Sequence, residues 1–472
     1  LTAIAISMHG KSGGAGAGVC GRVELGGGRH VLGAGGLMIL SQAIIADIVP
    51  ASERGKYLGP LGGVFGLAAV AGPLLGGYFV DHLTWQWAFY INIPIGIAAF
   101  IVAYITLTLP SKKATKRIDI LGIATLSIAT TCLIFFTDFG GDSEFGWGHW
   151  GTWSWGIGFV VAVGAFILAE SRAADPIIPL SLFTNPIFVN ATAIGMTIGI
   201  GMFAAIGFVP TFLQMSSGTS AAASGLLMIP MMVGLLGTSI GSGLLITKTG
   251  KYRMFPIFGT LVTGGAMAAM TTLTATTPIW LICVFLFFFG AGLGLIMQVV
   301  VLVVQNAVPP AEIGTAPRPH NYFREGGAAL GTAVFGTIFT TRLTENLTKV
   351  FTDAGLTPGD AGSATSTLTP DVLNGLPEDL RLGVVTAYAD ALAPVFWFLL
   401  PFIGLAFVLS LFLKQIPLSD VAGLVARGEA IGGDEAERLE AQQRGLTPLV
   451  VEDSAGSDAD ADPRREDAES PR

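Results

Sequence analysis

Few side chains in this sequence have the type and spacing that catalysis or metal binding would need. The glycine–lysine loop GxxxxGK[ST], which holds nucleotide phosphates, does not occur, and this argues against an ATP-driven pump. The histidines show no metal-ligand spacing: His9, His30, His82, His149 and His320. The residue pattern therefore predicts neither an enzyme nor a metal or organic cofactor.

The polar side chains that stand out are amides within strongly apolar segments. Gln298 lies inside one such segment, and Gln305 and Asn306 lie near its end. In membrane helices, amides often serve only as hydrogen bonds between helices, each worth about 0.6 kcal/mol. The alternative is that these amides line a substrate cavity. Both interpretations stay open at the level of sequence.

A run of glycines with one proline interrupts an apolar segment: Gly72, Pro73, Gly76 and Gly77. In a soluble helix each Gly costs about 1 kcal/mol and a Pro about 3 kcal/mol relative to Ala. In a bilayer, small residues let helices approach closely, and neighbouring helices satisfy the backbone that Pro leaves free. The run therefore predicts a bent membrane helix, with generic small-residue packing as the simpler alternative.

The composition is that of a membrane protein. The chain has 472 residues, of which 51% are hydrophobic and 12% are charged, against about 25% charged in soluble domains. Three cysteines are too few and too far apart for a disulfide or metal framework. The net charge of −8 belongs mostly to the segment 434–472, which holds 12 acidic and 5 basic residues. The sequence therefore predicts an all-α polytopic membrane protein.

Apolar runs close to the roughly 20 residues that span a bilayer follow one another along the chain. We place eleven, at about 31–49, 57–80, 87–109, 118–137, 151–170, 187–210, 222–246, 254–274, 278–304, 326–341 and 391–413. The segment 344–390 is rich in Thr, Asp, Gly and Pro, which predicts a long loop. The acidic residues after 413 predict a soluble tail that is mostly disordered.

Basic residues occur in alternate loops, and this predicts the orientation in the membrane. Cytoplasmic loops carry an excess of Lys and Arg. The short loops near 81–86, 138–150, 211–221 and 275–277 contain neither. The C-terminus is therefore expected in the cytoplasm and the 344–390 segment outside. The basic loops contain Arg54, Lys56, Lys112, Lys113, Lys116, Arg117, Arg172, Lys248, Lys251, Arg253, Arg318 and Arg324.

Several motifs follow one another along the chain in the order found in major facilitator superfamily transporters, and they resemble most closely those of the fourteen-helix drug:proton antiporter branch. The run at 72–77 is similar to the antiporter motif of that family's helix 5. The resemblance assigns a helix 5–6 turn to Trp85, Trp87, Asn92 and Pro94. It assigns cytoplasmic gating loops to Asp47, Glu53, Arg54, Lys248, Gly250, Lys251 and Arg253. From the residues alone, these charges could equally be simple markers of membrane topology.

The resemblance also implies a domain plan and an N-terminal truncation. Residues 1–32 would be a disrupted remnant, and 33–110 the rest of the N-terminal bundle, helices 4–6. Two linker helices would occupy 111–184, and a C-terminal bundle would occupy 185–414. The acidic tail would be 415–472. Eleven of fourteen helices would then be present, and the prolines within 315–320 would break a helix of the family.

The function that follows from the resemblance is transport. We expect a monomeric transporter of the plasma or inner membrane that exports small hydrophobic or drug-like compounds by alternating access, driven by a proton gradient. Its partners would be the lipid bilayer and a small-molecule substrate, with no nucleic acid. Because the expected coupling acid of helix 1 is absent, we expect transport by this chain to be impaired. The alternative is a non-transporting membrane remnant or a regulatory membrane protein.

Overall fold

The computed structural model describes residues 36–418 apart from 38, 47–48, 85, 107–118, 142–145, 218–220, 309–312, 314, 356–371 and 374. Asp47 and Trp85 therefore lie outside the described residues, as do the predicted N-terminal remnant and nearly all of the acidic tail. The ordered elements of the described part are helices. The all-α prediction is confirmed for this part of the chain.

The first described helix, α1, covers 39–46. It is followed by α2 (Ala51–His82), α3 (Trp87–Tyr90), α4 (Asn92–Thr106), α5 (Ile120–Gly141), α6 (Trp150–Glu170), a 3-10 turn (Leu180–Thr184), α7 (Pro186–Ser217), α8 (Ala221–Leu227), α9 (Ile229–Thr249), α10 (Met254–Met270), α11 (Ile279–Asn306), α12 (Pro317–Asp353) and α13 (Glu378–Leu411).

Seven helices in the described part are long and apolar enough to cross a membrane. They are Trp87–Thr106, Ile120–Gly140, Trp150–Glu170, Pro186–Met215, Ala223–Thr249, Ile279–Asn306 and Glu378–Leu411. Helix α10 is apolar but shorter. The predicted spans 57–80 and 326–341 are helical within α2 and α12. The chain is therefore a multi-pass membrane protein, although the count of eleven spans is not confirmed.

Helix α11 lies at the centre of the molecule and contacts α2, α7, α9 and α10. Its residues from Val299 to Val304 are buried all round, which is why this segment is apolar on every face. Glycines on α11 let the neighbours approach, since a Cβ at Gly290 would collide with the backbone of Met231 on α9. Helices α5 and α6 form a hairpin whose α5 side rests on α12.

The described parts of the predicted loop at 344–390 are largely helical instead. Helix α12 continues to Asp353, and α13 begins at Glu378. Both segments are polar in composition, but they bury apolar residues four apart, Leu347 with Phe351 and Val384 with Tyr388. This spacing places each pair on one helix face, so the two extensions cover one another. The polar composition had hidden an amphipathic pattern.

The expected break at 315–320 is also wrong. Pro317 is the first residue of α12, and Pro319 is the third. The N–H groups of the first helical turn have no partner within the helix, so a proline there loses no hydrogen bond. The two prolines therefore begin a helix of 37 residues rather than interrupt one.

Candidate functional site

Helix α2 and helix α9 are in backbone contact near the end of the bundle that carries Arg54 and Lys248, which we call the basic end. A Cβ at Gly55 would lie 2.7 Å from the carbonyl oxygen of Gly243. One turn further, the Ser239 hydroxyl donates a hydrogen bond of 2.9 Å to the carbonyl oxygen of Gly59. No larger residue fits at Gly55, so glycine allows the helices to touch.

Gln298 lies where α11 meets these two helices. Its side chain is 4% exposed, and a Cβ at Gly62 of α2 would lie 2.7 Å from its Nε2. Neither its Nε2 nor its Oε1 has a hydrogen-bond partner among the described residues. Leu58, Ser239 and Ser242 line the small gap beside it. A buried amide without partners is costly, so this residue is the strongest candidate of the sequence for contact with a ligand.

Gln305 belongs to a different polar cluster, which links three helices near the basic end. Its Nε2 donates to the carbonyl oxygen of Gln42 on α1, at 3.4 Å. The side chain of Gln42 in turn accepts a hydrogen bond of 3.0 Å from Asn321 Nδ2 on α12. All three amides are buried. His320 is buried beside Asn321, with its ring against Gly195 of α7.

The predicted gating residue Arg54 holds the end of the preceding helix. Its guanidinium is buried and donates to the carbonyl oxygens of Ala46, at 2.8 Å, and Val49, at 3.0 Å. A cation at this position satisfies carbonyls that the end of α1 leaves open and lies at the negative end of its dipole. Glu53 instead pairs with Lys56 at the surface, at 3.2 Å.

The second predicted gating loop joins α9 to α10 and is tied to the chain after α13. Gly250 ends α9 with φ of 65°, a conformation that glycine adopts without strain. Arg253 donates to the carbonyl oxygen of Leu411 at 2.7 Å, and its own N–H donates to Gln415 Oε1 at 3.1 Å. Burial raises the pKa of the neighbouring Tyr252 phenol, whose hydroxyl donates a hydrogen bond to the backbone carbonyl oxygen of Lys414. Lys248 lies in the last turn of α9, and Lys251 is exposed.

The residues of the predicted antiporter motif lie together in the second half of α2, beyond its contact with α9. A Cβ at Gly72 or Gly76 would meet no heavy atom within 4 Å. Pro73 and Gly77 lie in the same helix, which runs without interruption from Ala51 to His82. The contacts of Gly55 and Gly59 with the backbone of α9 thus lie in the half of α2 nearer the basic end, and α2 also packs against α8.

The predicted helix 5–6 turn is held by aromatic and amide contacts. Trp87 packs edge-on against Tyr90, with ring centroids 6.0 Å apart. Asn92 donates to the carbonyl oxygen of Ala88 at 2.8 Å, and Pro94 lies in the first turn of α4.

Asn306, at the end of α11, donates to the carbonyl oxygen of Pro417 at 3.1 Å. These residues stabilise local structure and do not approach Gln298.

Residues 27–332 match the sequence profile of the Major Facilitator Superfamily. The chain belongs to this superfamily of transporters. It is 39% identical over 390 residues to an uncharacterized MFS-type transporter of Mycobacterium tuberculosis, covering 83% of this chain and 56% of that one. It is 34% identical to the multidrug transporter protein MdtP of Bacillus subtilis, over 82% of this chain and 75% of the relative.

Multidrug resistance protein 3 of Bacillus subtilis is 31% identical, over 84% of this chain and 78% of its own length. Among solved structures, a bacterial homologue of the lysosomal transporter Spinster matches with 14% identity and a TM-score of 0.39. That match covers 89% of this chain and 96% of the other, but its TM-score is too low to compare helix positions.

Three buried polar residues near the basic end were not predicted from the sequence: Gln42, His320 and Asn321. Gln42 lies within the span expected at 31–49, but the glycine-rich sequence before it has no clear periodicity, so nothing indicated that its side chain would be buried. His320 and Asn321 follow two prolines that were interpreted as a break. A search for polar residues in the first turn of long helices would have found the latter two.

Proposed function

We propose that this protein is a secondary active exporter of small hydrophobic compounds, driven by a proton gradient across the plasma or inner membrane, with its C-terminus in the cytoplasm. Membership of the Major Facilitator Superfamily supports secondary transport. The names of two relatives support drug-like substrates. We further propose that it acts as a monomer in the bilayer and binds no nucleic acid.

The unpaired amide of Gln298 is the observation that carries the proposal. Leaving a buried donor or acceptor unsatisfied costs about 1–3 kcal/mol, and replacing it by an apolar group of the same shape removes that cost. Such a residue is retained more readily if its amide binds a substrate in another conformation. Gln298 faces Gly62, on the helix that also carries the antiporter-like run.

The packing of α2 suits a gate that opens and closes. Its contact with α9 at Gly55 and Gly59 is tight, whereas Gly72 and Gly76 have no close neighbour in the described part of the chain. We infer that the molecule is closed at the basic end in this conformation. Separation of α2 from α9 would expose Gln298, as alternating access around a site near the membrane midplane requires.

The surroundings of Gln298 favour a mostly apolar substrate with a hydrogen-bonding group. Leu58, Val299 and Leu302 contribute aliphatic surface, and the hydroxyls of Ser239 and Ser242 are the nearest further polar groups. One amide in such a setting fixes the orientation of a ligand, while the apolar surface supplies most of the binding free energy.

The test is equilibrium binding of a hydrophobic fluorescent compound to the chain in lipid nanodiscs. Gln298→Leu is expected to weaken binding about tenfold, the effect of one lost hydrogen bond of about 1.4 kcal/mol. Gln214→Leu is the matched control. It makes the same amide-to-leucine change near the C-terminal end of α7, and this variant should bind the compound normally. Equal binding by wild type and Gln298→Leu would contradict the role of Gln298.

The same protein in vesicles with a pH gradient tests coupling. Export driven by the gradient would support the proposal and contradict the prediction that this chain is impaired. Binding without export would support the substrate site and the impairment together. A folded chain that neither binds nor exports would favour the alternative, a membrane protein that does not transport.

A further inference from the structure

An apolar cavity of about 650 Å³ separates the α5–α6 hairpin from α7 and α12. Its volume falls within the roughly 300–1,000 Å³ of small-molecule sites. Leu126, Phe159 and Phe166 line the hairpin side, and Met196 and Leu330 line the other. Tyr322 adds a hydroxyl that is already paired with Thr130, at 2.8 Å. The cavity is remote from Gln298, whose small gap has different lining residues.

Two carboxyl groups share a crevice beside this cavity. A Cβ at Gly122 would lie 2.9 Å from both Asp119 Cγ and Glu170 Oε1. Glu170 is 3% exposed, and its Oε1 accepts a weak hydrogen bond of 3.4 Å from the N–H of Ile178, which itself lines the cavity. Asp119 Oδ1 caps α5 through Gly122 N, at 2.8 Å.

The remaining oxygen of each carboxyl group is buried without a partner. Among the described residues, Asp119 Oδ2 and Glu170 Oε2 accept no hydrogen bond, and neither side chain forms an ion pair with a Lys or Arg. A buried carboxylate beside a half-buried one, with no described cation, is unfavourable, so the crevice favours a positively charged hydrogen-bond donor. Helix capping accounts for the burial of Asp119 Oδ1. It does not account for the burial of Asp119 Oδ2 and Glu170 Oε2.

The position of the crevice indicates the source of that donor. Asp119 precedes the first residue of α5, and Glu170 is the last residue of α6. Helices of 22 and 21 residues are about 32 Å long, close to the thickness of the hydrocarbon core, so their ends lie at the level of lipid headgroups. Ile167 and Phe183 line the cavity and have exposed side chains, so it reaches the lipid-facing surface.

We propose that this site binds one phospholipid with a primary amine headgroup. An acyl chain fills the apolar cavity, and the ammonium group lies between Asp119 and Glu170. A primary ammonium has three N–H donors and can satisfy both unpaired oxygens. A choline headgroup carries the same charge but no N–H, so it leaves both oxygens unsatisfied. The proposal is independent of the transport mechanism.

Native mass spectrometry of the purified chain with equal amounts of phosphatidylethanolamine and phosphatidylcholine, both with oleoyl chains, tests this. The wild type is expected to retain the ethanolamine lipid about tenfold more, the effect of losing charge-assisted hydrogen bonds. Glu170→Gln should bring the ratio close to one. Asp138→Asn removes the same charge at the other end of α5 and should leave the ratio unchanged.

The cavity has a test of its own. A Cβ at Gly326 would meet no atom within 4 Å, so Gly326→Leu should fill the cavity without disturbing α12 and reduce retention of both lipids at least fivefold. Val163→Phe fills it from α6. Thermal unfolding verifies that each variant is folded. If Glu170→Gln does not fold, Asp119→Asn takes its place, since the Asn side-chain oxygen can still cap α5. Equal retention of the two lipids by the wild type, or an unchanged preference in the folded carboxyl variants, would overturn the proposal.

Discussion

The buried amides of this protein fall into two kinds, and the difference has consequences for stability. Gln42, Gln305 and Asn321 are linked to one another across three helices. Gln298 is equally buried and has no hydrogen bond. In the first kind, hydrogen bonds between helices contribute to stability, while one buried atom of each amide (Gln42 Nε2, Gln305 Oε1 and Asn321 Oδ1) has no described partner. The second kind lowers stability and is therefore the better candidate for a role in function.

Leucine substitutions should separate the two kinds. Gln298→Leu removes an unsatisfied amide at nearly constant volume, and we expect it to raise the free energy of unfolding by about 1 kcal/mol. Gln42→Leu removes the side-chain oxygen that accepts from Asn321 Nδ2 but keeps the backbone carbonyl that accepts from Gln305, and we expect a loss of about 1–3 kcal/mol. Thermal unfolding of both variants in one detergent measures this. Destabilisation by Gln298→Leu equal to that of Gln42→Leu would show that Gln298 has partners of its own.

At the scale of elements, the glycines of α2 divide into a packed group and an open group. Gly55 and Gly59 lie against the backbone of α9, whereas a Cβ at Gly72 or Gly76 would meet no described atom within 4 Å. Packing in this conformation therefore explains the first group only. The second group, which carries the resemblance to an antiporter motif, is explained if another conformation brings those glycines into contact.

This division predicts opposite results for two matched substitutions. Gly59→Leu would place a side chain 2.7 Å from the carbonyl oxygen of Ser239, and we expect it to lower the unfolding temperature and weaken the contact of α2 with α9. Gly76→Leu should leave the unfolding temperature unchanged and, if the wild type exports, abolish that export. Unfolding and vesicle transport measured on both variants test this. Normal export by Gly76→Leu would contradict a role for the run in conformational change.

The sequence predicted several membrane-spanning helices but not the contacts between helices. Apolar runs identified α5, α6, α7 and α11, because a lipid-exposed or fully buried helix must be apolar along a length close to the bilayer thickness. The helical parts of 344–390 were not predicted, because a helix outside the bilayer needs only one apolar face and its overall composition can be polar. The partners of Gln298 and Gln42 could not be predicted, since they depend on which helices become neighbours.

At the scale of the whole molecule, the basic residues of two of the predicted cytoplasmic loops lie at the same end. Arg54 stands at the start of α2, and the loop with Lys251 and Arg253 joins α9 to α10. Arg253 contacts the end of α13 at Leu411, which places the chain that leads into the acidic tail at the same end. The loop with Thr276, between α10 and α11, lies at the opposite end. One orientation in the membrane therefore fixes the side of every loop.

The excess of Lys and Arg predicts that the basic end faces the cytoplasm. In a chain whose cysteines, Cys20, Cys132 and Cys283, are replaced by Ala, we expect Thr276→Cys to react with a membrane-impermeant maleimide in intact cells. Lys251→Cys should react only after the cells are opened, because its exposed side chain lies on the inner side. The opposite pattern would reverse the orientation and place the contact of Gly55 with Gly243 at the outer surface. That contact would then close the outer rather than the cytoplasmic side of the transporter.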